Sequence, residues 1–237
     1  MRDLGDVLEL LHTSPERWDS LRLAGSDWRH LARHQEAWER WVTAWQRDSN
    51  RGSVMRLAAV RAMAEGEEPE ETVVKWRLWQ AKPDKIRTEF QVGAETVKAL
   101  LIGPVWWSWT RSTGLRTNRG DPSSTHGTGP AEVLTDTPGL LSFLRLRAVS
   151  RTTFMSRSAY VVSAEPGPVD RNGQTSVLHA LGAGADRYEL VVDAEIGILL
   201  RSQAEQGGQP FHVIEVQELG LNEQPDERLF SSEGLAG

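Results

Sequence analysis

The sequence predicts an α+β fold in which N-terminal helices pack on an antiparallel β-sheet. Three observations lead to this prediction. Apolar residues recur at helical spacing through most of the first fifty residues, and from about residue 73 onward they alternate with polar residues as in half-buried strands. Short turns containing Gly, Pro and Asp separate the alternating runs, and such turns join antiparallel neighbours. No stretch of about 20 to 50 residues repeats, which argues against solenoids and propellers.

The composition is that of an ordinary globular protein except for its Trp content. Of 237 residues, 39% are hydrophobic and 25% are charged, and the 10 Trp outnumber the 5 Phe and 2 Tyr together. A net charge of -6 argues against a nucleic-acid partner, because phosphate binding needs a surplus of Lys and Arg. The absence of Cys excludes disulfides, thiolate nucleophiles and Cys-ligated metals. The Trp side chains are expected in a core or in a binding wall.

The N-terminal residues predict a cytoplasmic protein. Asp3, Asp6 and Glu9 stand where a signal peptide carries basic residues followed by an apolar run. No stretch approaches the ~20 apolar residues that a membrane-spanning helix needs. We therefore expect a soluble protein without a membrane span.

Two helices and a short strand are predicted before the main sheet. Residues 3–12 carry Leu and Val at helical spacing and predict a short helix. Residues 21–25 suggest a brief edge strand that ends at a Gly. The longest helical pattern then begins at Ser26 or Asp27, either of which could cap it, and runs to about residue 48.

The long helix carries a stripe of Trp. Trp38, Trp41 and Trp45 follow one another at intervals of three and four residues, so they share one helix face. The favoured interpretation is a helix docked on the sheet by this face, and the alternative is a lid that shares the stripe with a ligand. His30 and His34 have the spacing of a metal-binding pair, but no helical carboxylate supplies a third ligand. We therefore expect no metal site.

Alternation from residue 73 predicts a Trp-rich hairpin. Trp76 and Leu78 alternate with polar residues, and after a Lys-Pro-Asp turn residues 86–90 do the same. Residues 97–102 are apolar on both faces, as expected of a strand in the middle of a sheet under a cover. A Gly-Pro turn leads from there into a further strand over residues 106–109.

The remainder of the chain predicts a long loop, a short helix and a meander of strands. Residues 111–130 are rich in Gly, Ser and Thr and are expected to form a loop. Pro138 begins a short helix or turn. The strands predicted for the meander are residues 158–164, 188–192, 198–201 and 211–216.

No motif in the sequence names a reaction. The dinucleotide, phosphate-binding, nucleophile-elbow and zinc-protease patterns GxGxxG, GxxxxGK[ST], GxSxG and HExxH are all absent. Asp121 and His126 are the one acid and imidazole pair in the long loop, and a solvated loop is the favoured interpretation for both. We therefore expect a protein without catalytic activity and without a cofactor.

Several elements of the strand region occur in an order known from one superfamily. Along the chain they are Trp79 with Pro83 and Arg87, Gly103 before Trp106 and Trp107, Ser156-Arg157-Ser158 before Tyr160, Tyr188 to Leu190 with Val192-Asp193 and Gly197, and the closing Leu221-Asn222, Pro225 and Phe230. In this order and spacing, residues 73–232 resemble the superfamily of lipoprotein carriers and sensors that includes LolA, LolB, RseB and the LppX-type proteins.

The resemblance implies an incomplete β-barrel, which is a strongly curved antiparallel sheet whose concave, apolar face is covered by helices. Together with the helical N-terminus it predicts a single domain. Its parts are a helical segment packed on the sheet over residues 1–50, an uncertain linker over 51–72, the half-barrel over 73–232 and a tail over 233–237. The resemblance also implies binding of acyl chains, a glycolipid or an apolar polypeptide segment in the cavity, without chemistry.

The leading functional prediction is non-catalytic binding of a hydrophobic or lipid-like ligand in an apolar cavity. The candidate wall residues, assigned by alternation, are Trp79, Phe90, Trp107, Trp109 and Tyr160, together with Trp38, Trp41 and Trp45 of the helix. The alternative is a protein-interaction or regulatory module whose cavity is filled by the three helix Trp side chains and admits no small ligand.

Overall fold

The computed structural model describes residues 4–48, 69–118, 132–167 and 180–236. Its strands are β1 (Ser20–His30), β2 (Glu71–Ala81), β3 (Lys85–Val92), β4 (Glu95–Ile102), β5 (Val105–Thr110), β6 (Gly114–Thr117), β7 (Leu144–Phe154), β8 (Arg157–Pro166), β9 (Arg187–Asp193), β10 (Leu199–Gln206) and β11 (Gln209–Leu221). The described α-helices are α1 (Leu4–Thr13), α2 (Leu31–Asp48), α3 (Thr137–Leu141) and α4 (Ser232–Ala236). Short 3-10 turns, η1 to η3, occupy Ser14–Glu16, Glu132–Leu134 and Glu227–Phe230.

All eleven strands belong to one antiparallel sheet in the order β6-β5-β4-β3-β2-β1-β11-β10-β9-β8-β7. The sheet is strongly curved and does not close into a barrel, and N-terminal helices pack on its concave face. The predicted fold class is therefore confirmed. None of the described helices is long and apolar enough to cross a membrane.

The first strand, β1, lies at the middle of the sheet between β2 and β11. It is eleven residues long and buries alternate side chains from Leu21 to Asp27. The predicted edge strand and the predicted helix start at Ser26 or Asp27 are therefore wrong, and α2 begins at Leu31. Residues 26–29 pair with β2 on one side and with β11 on the other, and His30 pairs with β2, so most backbone N–H and C=O groups of this segment lie in the sheet. Tertiary pairing has overridden a local helical preference.

The strands predicted after residue 73 are confirmed. β2 and β3 form the Trp-rich hairpin, with Trp76 opposite Phe90. β4 is apolar on both faces and lies between β3 and β5. The four strands predicted for the last third are β8 to β11, which are neighbours in the sheet. The predicted short helix is α3, with Pro138 in its first turn.

The predicted loop over residues 111–130 contains a strand. β6 occupies Gly114–Thr117 and pairs with β5, so it forms one edge of the sheet among the described strands. β7 forms the other edge. Asp121 and His126 lie outside the described residues.

The sheet has two apolar faces. We call the face that bears Leu23, Leu78 and Ile214 the inner, concave face, and the opposite one the outer face. Over β7 to β11 the inner face is filled by α1, α3 and η2, which pack on it as part of the main core. The buried side chains that α1 supplies to this core are Val7, Leu10 and Leu11.

A second apolar cluster lies on the outer face over β2 to β5. The segment that covers it is η3 and α4, which follow β11 at the C-terminal end of the described chain. Its buried members are Leu100, Phe230 and Leu235, and packed against them are Trp79, Ala81, Ile102, Trp107, Trp109 and Leu229.

Candidate ligand-binding groove

Cross-strand pairing arranges the inner face of β1 to β5 in three rows. Residues opposite one another in antiparallel strands point to the same side of the sheet, so each row follows from the register. The first row is Leu21, Gln80, Ile86, Leu101 and Trp106, the middle row is Leu23, Leu78, Thr88, Ala99 and Ser108, and the third is Gly25, Trp76, Phe90 and Val97.

Along β3 to β5 the middle row is small and the two flanking rows are large, so the register predicts a groove across the strands. Its floor is buried, with Thr88 2% and Ala99 1% exposed. The large side chains beside the floor are only partly buried. Half-buried apolar walls of this kind are typical of sites that take small hydrophobic ligands. We call this feature the inner groove, with the walls Ile86, Leu101 and Trp106 on one side and Phe90 and Val97 on the other.

Trp76 ends the inner groove at the centre of the sheet. Its ring lies over Gly25 of β1, where an added Cβ would come 2.6 Å from Trp76 Cζ2 and would collide with the carbonyl oxygen of Glu215. Gly25, which the sequence suggested as the end of a strand, therefore leaves the space that the Trp76 indole occupies. A larger side chain at this position would displace Trp76.

Three buried polar atoms of the inner face have no hydrogen-bond partner among the described residues. They are Trp76 Nε1, Gln80 Oε1 and Thr88 Oγ1. A buried polar atom that stays unpaired costs about 1–3 kcal/mol. The indole N–H donates, the amide oxygen accepts, and the hydroxyl can do both. The groove can therefore hold an occupant that is mainly apolar and carries a few polar atoms.

The predicted wall residues do not share one face. Phe90 lines the inner groove, whereas Trp79, Trp107 and Trp109 point to the outer face. Tyr160 is on the inner face but belongs to β8, near the far edge of the sheet, and is only 4% exposed. Alternation divides the residues of a strand into two sets, but it cannot identify the inward set when both sets are apolar.

The helix Trp side chains lie at one end of the sheet. Trp38 and Trp41 stack with their ring centres 5.0 Å apart, and both are half-buried. Their helix, α2, contacts β1 and β11, where the ring of His34 meets that of Phe211 edge-on. The side chain of Trp45 lies outside the described residues.

Sequence reasoning missed Trp76 and Trp106 as residues of the inner face. The strand register across the β2–β3 turn and the β4–β5 turn identifies both residues. Phe90 faces Trp76 across the first turn, and Trp106 faces Leu101 across the second. Since Leu101 shares the face of Phe90, choosing Phe90 for the wall selects both Trp residues.

Arg87 fastens the C-terminal segment, residues 227–236, over the outer Trp cluster. Its buried guanidinium donates hydrogen bonds to the carbonyl oxygens of Leu229 at 2.8 Å and Gly234 at 3.2 Å, and it forms an ion pair with Glu89. Three of the predicted wall residues are thus covered by the protein's own chain.

A buried ionic pair joins β1 to β11 on the inner face. Asp27 Oδ1 lies 2.8 Å from His212 Nε2, and Arg29 donates two hydrogen bonds to the same carboxylate. Burial by itself raises the pKa of Asp27, but the hydrogen bond with His212 and the charges of His212 and Arg29 outweigh burial and hold the pKa below its usual value. Both Asp27 and His212 are 1% exposed, so the pair has no access to a substrate.

The two histidines with metal-pair spacing do not share a helix. His30 is the last residue of β1 and lies 3.2 Å from Glu70, whereas His34 belongs to α2. In the ranges that the structure describes, no group of three or more His, Asp or Glu side chains could hold a metal ion.

Comparison with solved structures finds similar folds at low sequence identity. A chain of the Pseudomonas aeruginosa MucA/MucB complex matches 98% of this chain with a TM-score of 0.52 and 13% identity. The chain has a LolA/RseB-like fold. MucB alone matches 96% of it with a TM-score of 0.50 and 14% identity. A LolA superfamily protein from Nitrosomonas europaea matches 98% of this chain and 99% of its own, with a TM-score of 0.35 and 10% identity.

The predicted resemblance is confirmed at the level of fold. The chain spans 62% of the length of the matched chain in the MucA/MucB complex and 62% of MucB. No protein-family model matches the sequence, and no curated protein sequence matches it significantly.

Proposed function

We propose that the protein binds a hydrophobic or lipid-like ligand in the inner groove and performs no chemistry on it. The observation that carries the proposal is the combination, on one face, of half-buried apolar walls with the three unpartnered polar atoms of Trp76, Gln80 and Thr88. An occupant of the groove would cover the half-buried walls, and it would supply partners for those atoms by displacing the side chains that bury them.

The ionic groups of the described residues support a non-catalytic role. The fully buried carboxylates Asp27 and Asp193 are each held in an ion pair, with His212 and Arg157 respectively. Neither carboxylate is placed beside the inner groove as a free acid or base.

The proposal predicts that Trp106→Ala weakens binding of a neutral apolar dye, N-phenyl-1-naphthylamine, by roughly tenfold, because the change removes about 1–2 kcal/mol of apolar contact. A fluorescence titration of the full chain measures the dissociation constant. Urea unfolding of the same samples separates lost binding from lost stability.

The matched control is Trp109→Ala, which removes the same side chain from the same strand but on the outer face. Both variants lose packing, and we expect both to lose about 1–3 kcal/mol of unfolding free energy, but only Trp106→Ala should affect the dye. Equal weakening by the two variants, or no dye binding by the native protein, would count against the inner groove.

A second candidate function is binding of an apolar polypeptide segment in the same groove. One observation favours it: α1, a segment of the chain itself, already packs on the inner face over β7 to β11. Native mass spectrometry after purification without detergent distinguishes the two. A retained lipid mass supports the first function. A bare protein mass that persists after incubation with total lipid extract supports the second.

A further inference from the structure

A polar pocket lies at the end of the sheet where the β7–β8 hairpin meets the β9–β10 turn. Its volume is about 500 Å³, within the usual range for small-ligand sites. Two arginines, three hydroxyl side chains and one carboxylate line it, namely Arg151 and Arg157, Ser156, Ser158 and Tyr160, and Glu195.

Arg157 has a structural role in the wall of the pocket. Its guanidinium pairs with buried Asp193 and lies 3.0 Å from Glu195. Asp193 in turn accepts hydrogen bonds from the backbone N–H groups of Glu195 at 2.9 Å and Ile196 at 3.0 Å. These bonds fix the β9–β10 turn against β8, so the pocket has a rigid wall.

The other donors of the pocket are unused. Within the described residues, Arg151 forms no ion pair, and the hydroxyls of Ser156, Ser158 and Tyr160 form no side-chain hydrogen bond. The Arg151 guanidinium carbon lies 5.9 Å from the ring centre of Tyr160, a cation–π contact that keeps its N–H groups available. Glu195 is on the rim with 74% of its side chain exposed, so solvent screens much of its charge.

The hairpin tip that presents Ser156 is strained. Met155 and Ser156 form the two-residue turn and have φ of 51° and 62°. Such turns favour Asn and Gly, and a side chain in this region costs roughly 1–2 kcal/mol per residue. Backbone strain of this kind concentrates at functional sites.

We infer that this pocket binds a tetrahedral oxyanion, a phosphate or sulfate ester, through Arg151 and the hydroxyls of Ser156, Ser158 and Tyr160. A guanidinium offers two parallel N–H donors to such an anion, and hydroxyls arriving from other directions suit its remaining oxygens. The volume leaves room for the group to which the ester is attached. The site does not depend on the inner groove.

Titration of the full chain with inorganic phosphate and with glycerol 3-phosphate, followed by calorimetry, tests the site. We expect the native protein to bind the ester, Arg151→Gln to weaken binding by about tenfold, and Tyr160→Phe to weaken it several-fold. The matched control is Arg145→Gln, which removes the same charge from an exposed position on the same strand and should leave binding unchanged.

Ser156→Gly separates binding from folding. Glycine relieves the left-handed backbone at this position, so the urea midpoint should rise while ester binding weakens several-fold. A structural role alone would not produce these opposite changes. Failure of the native protein to bind any phosphate ester, or binding that Arg151→Gln leaves intact, would overturn the inference.

Vesicles identify the source of the anion. Binding of soluble glycerol 3-phosphate indicates a free ester as the ligand. Binding only to phosphatidylglycerol vesicles, lost in Arg151→Gln and absent with phosphatidylcholine, indicates a lipid head group. The dye used for the inner groove is uncharged and tests Trp106, whereas the esters test Arg151. Binding at the inner groove and binding at the polar pocket can therefore fail independently.

Discussion

Asp27 shows how one buried side chain fixes the conformation of its segment. In the strand its carboxylate faces inward and reaches His212 and Arg29, whose contacts compensate its burial. As a helix cap, which the local sequence allows, it would lose both partners. The inner-face pairing of Asp27 therefore explains why β1 continues to His30.

The depressed pKa of Asp27 predicts a loss of stability in acid. Because the folded pKa lies below the unfolded value of about 3.9, the unfolded chain binds more protons in this range, so the stabilisation is complete above about pH 5 and is lost as the pH falls through the folded pKa. The groups that face this carboxylate are His212 and Arg29, and His34 lies against His212. Asp27→Asn should reduce the unfolding free energy at neutral pH by about 3–5 kcal/mol.

Urea unfolding between about pH 2 and pH 7 measures both the acid dependence of stability and the loss caused by Asp27→Asn. Asp27→Asn should flatten the acid limb of the stability curve. Asp19→Asn, an exposed position on the approach to β1, should leave the curve unchanged. An acid limb that is the same in native protein and Asp27→Asn would refute the assignment.

At the scale of elements, Arg87 holds the C-terminal segment, residues 227–236, on the outer face through hydrogen bonds. The guanidinium binds two backbone carbonyl oxygens, so it recognises the segment's conformation and not its side chains. Phe230 and Leu235 then fill the space above the outer Trp side chains.

Arg87→Lys should release residues 227–236 while leaving the sheet folded. Lys keeps the charge opposite Glu89 but cannot reach both carbonyl oxygens, so we expect a loss of about 2 kcal/mol or more in the stability of this segment. Hydrogen exchange of residues 227–236 measures it, and Trp fluorescence should shift to longer wavelength.

Lys85→Gln is the matched control for Arg87. Lys85 lies on the same strand and face, but its ion pair at 3.0 Å is with Glu227, which is 81% exposed, and its ammonium lies 5.6 Å from the ring centre of Phe230. Each of these contacts contributes at most about 1 kcal/mol, so exchange should change much less than in Arg87→Lys. Equal exchange rates in the native protein and in Arg87→Lys would show that the apolar contacts alone hold the segment.

The elements that sequence predicts best are those in which one physical signal dominates. Alternation identified β2 to β5 and β8 to β11, because their turns and burial agree. It failed at β1, where the helix pattern of residues 26–30 competed with partners distant in sequence. It also failed to separate inward from outward Trp residues, since the cover of Trp107 and Trp109 comes from residues 227–236, more than a hundred positions away. The unpartnered hydroxyl of Thr88 has no signature in sequence.

At the scale of the whole molecule, β1 joins two sequence-local meanders. β2 to β6 extend from one side of it and β11 to β7 from the other. Each half is a run of neighbouring strands, but only β1 makes them a single sheet. The inner groove lies on the first half and the polar pocket beside Arg151 on the second.

Removing β1 should therefore abolish cooperative unfolding. A chain that starts at residue 31 loses the pairing of β1 with both β2 and β11, together with the Asp27–His212 pair. We expect a broad, non-cooperative urea transition by circular dichroism and a low yield of soluble protein.

The comparison variant is a chain that ends at residue 226. It lacks the outer segment but keeps all eleven strands, so it should unfold in one cooperative transition at a lower urea midpoint. A cooperative transition in the chain without β1 would show that the two halves are independent domains.

The central place of β1 also sets the order of events during translation. β1 leaves the ribosome well before its partner β11, which spans Gln209–Leu221 and is made last among the described strands. At about 5–20 residues per second, one side of β1 must wait roughly 10–40 s for its partner. During that time the nascent chain carries a central strand with one unpaired edge, which is open to pairing with other chains.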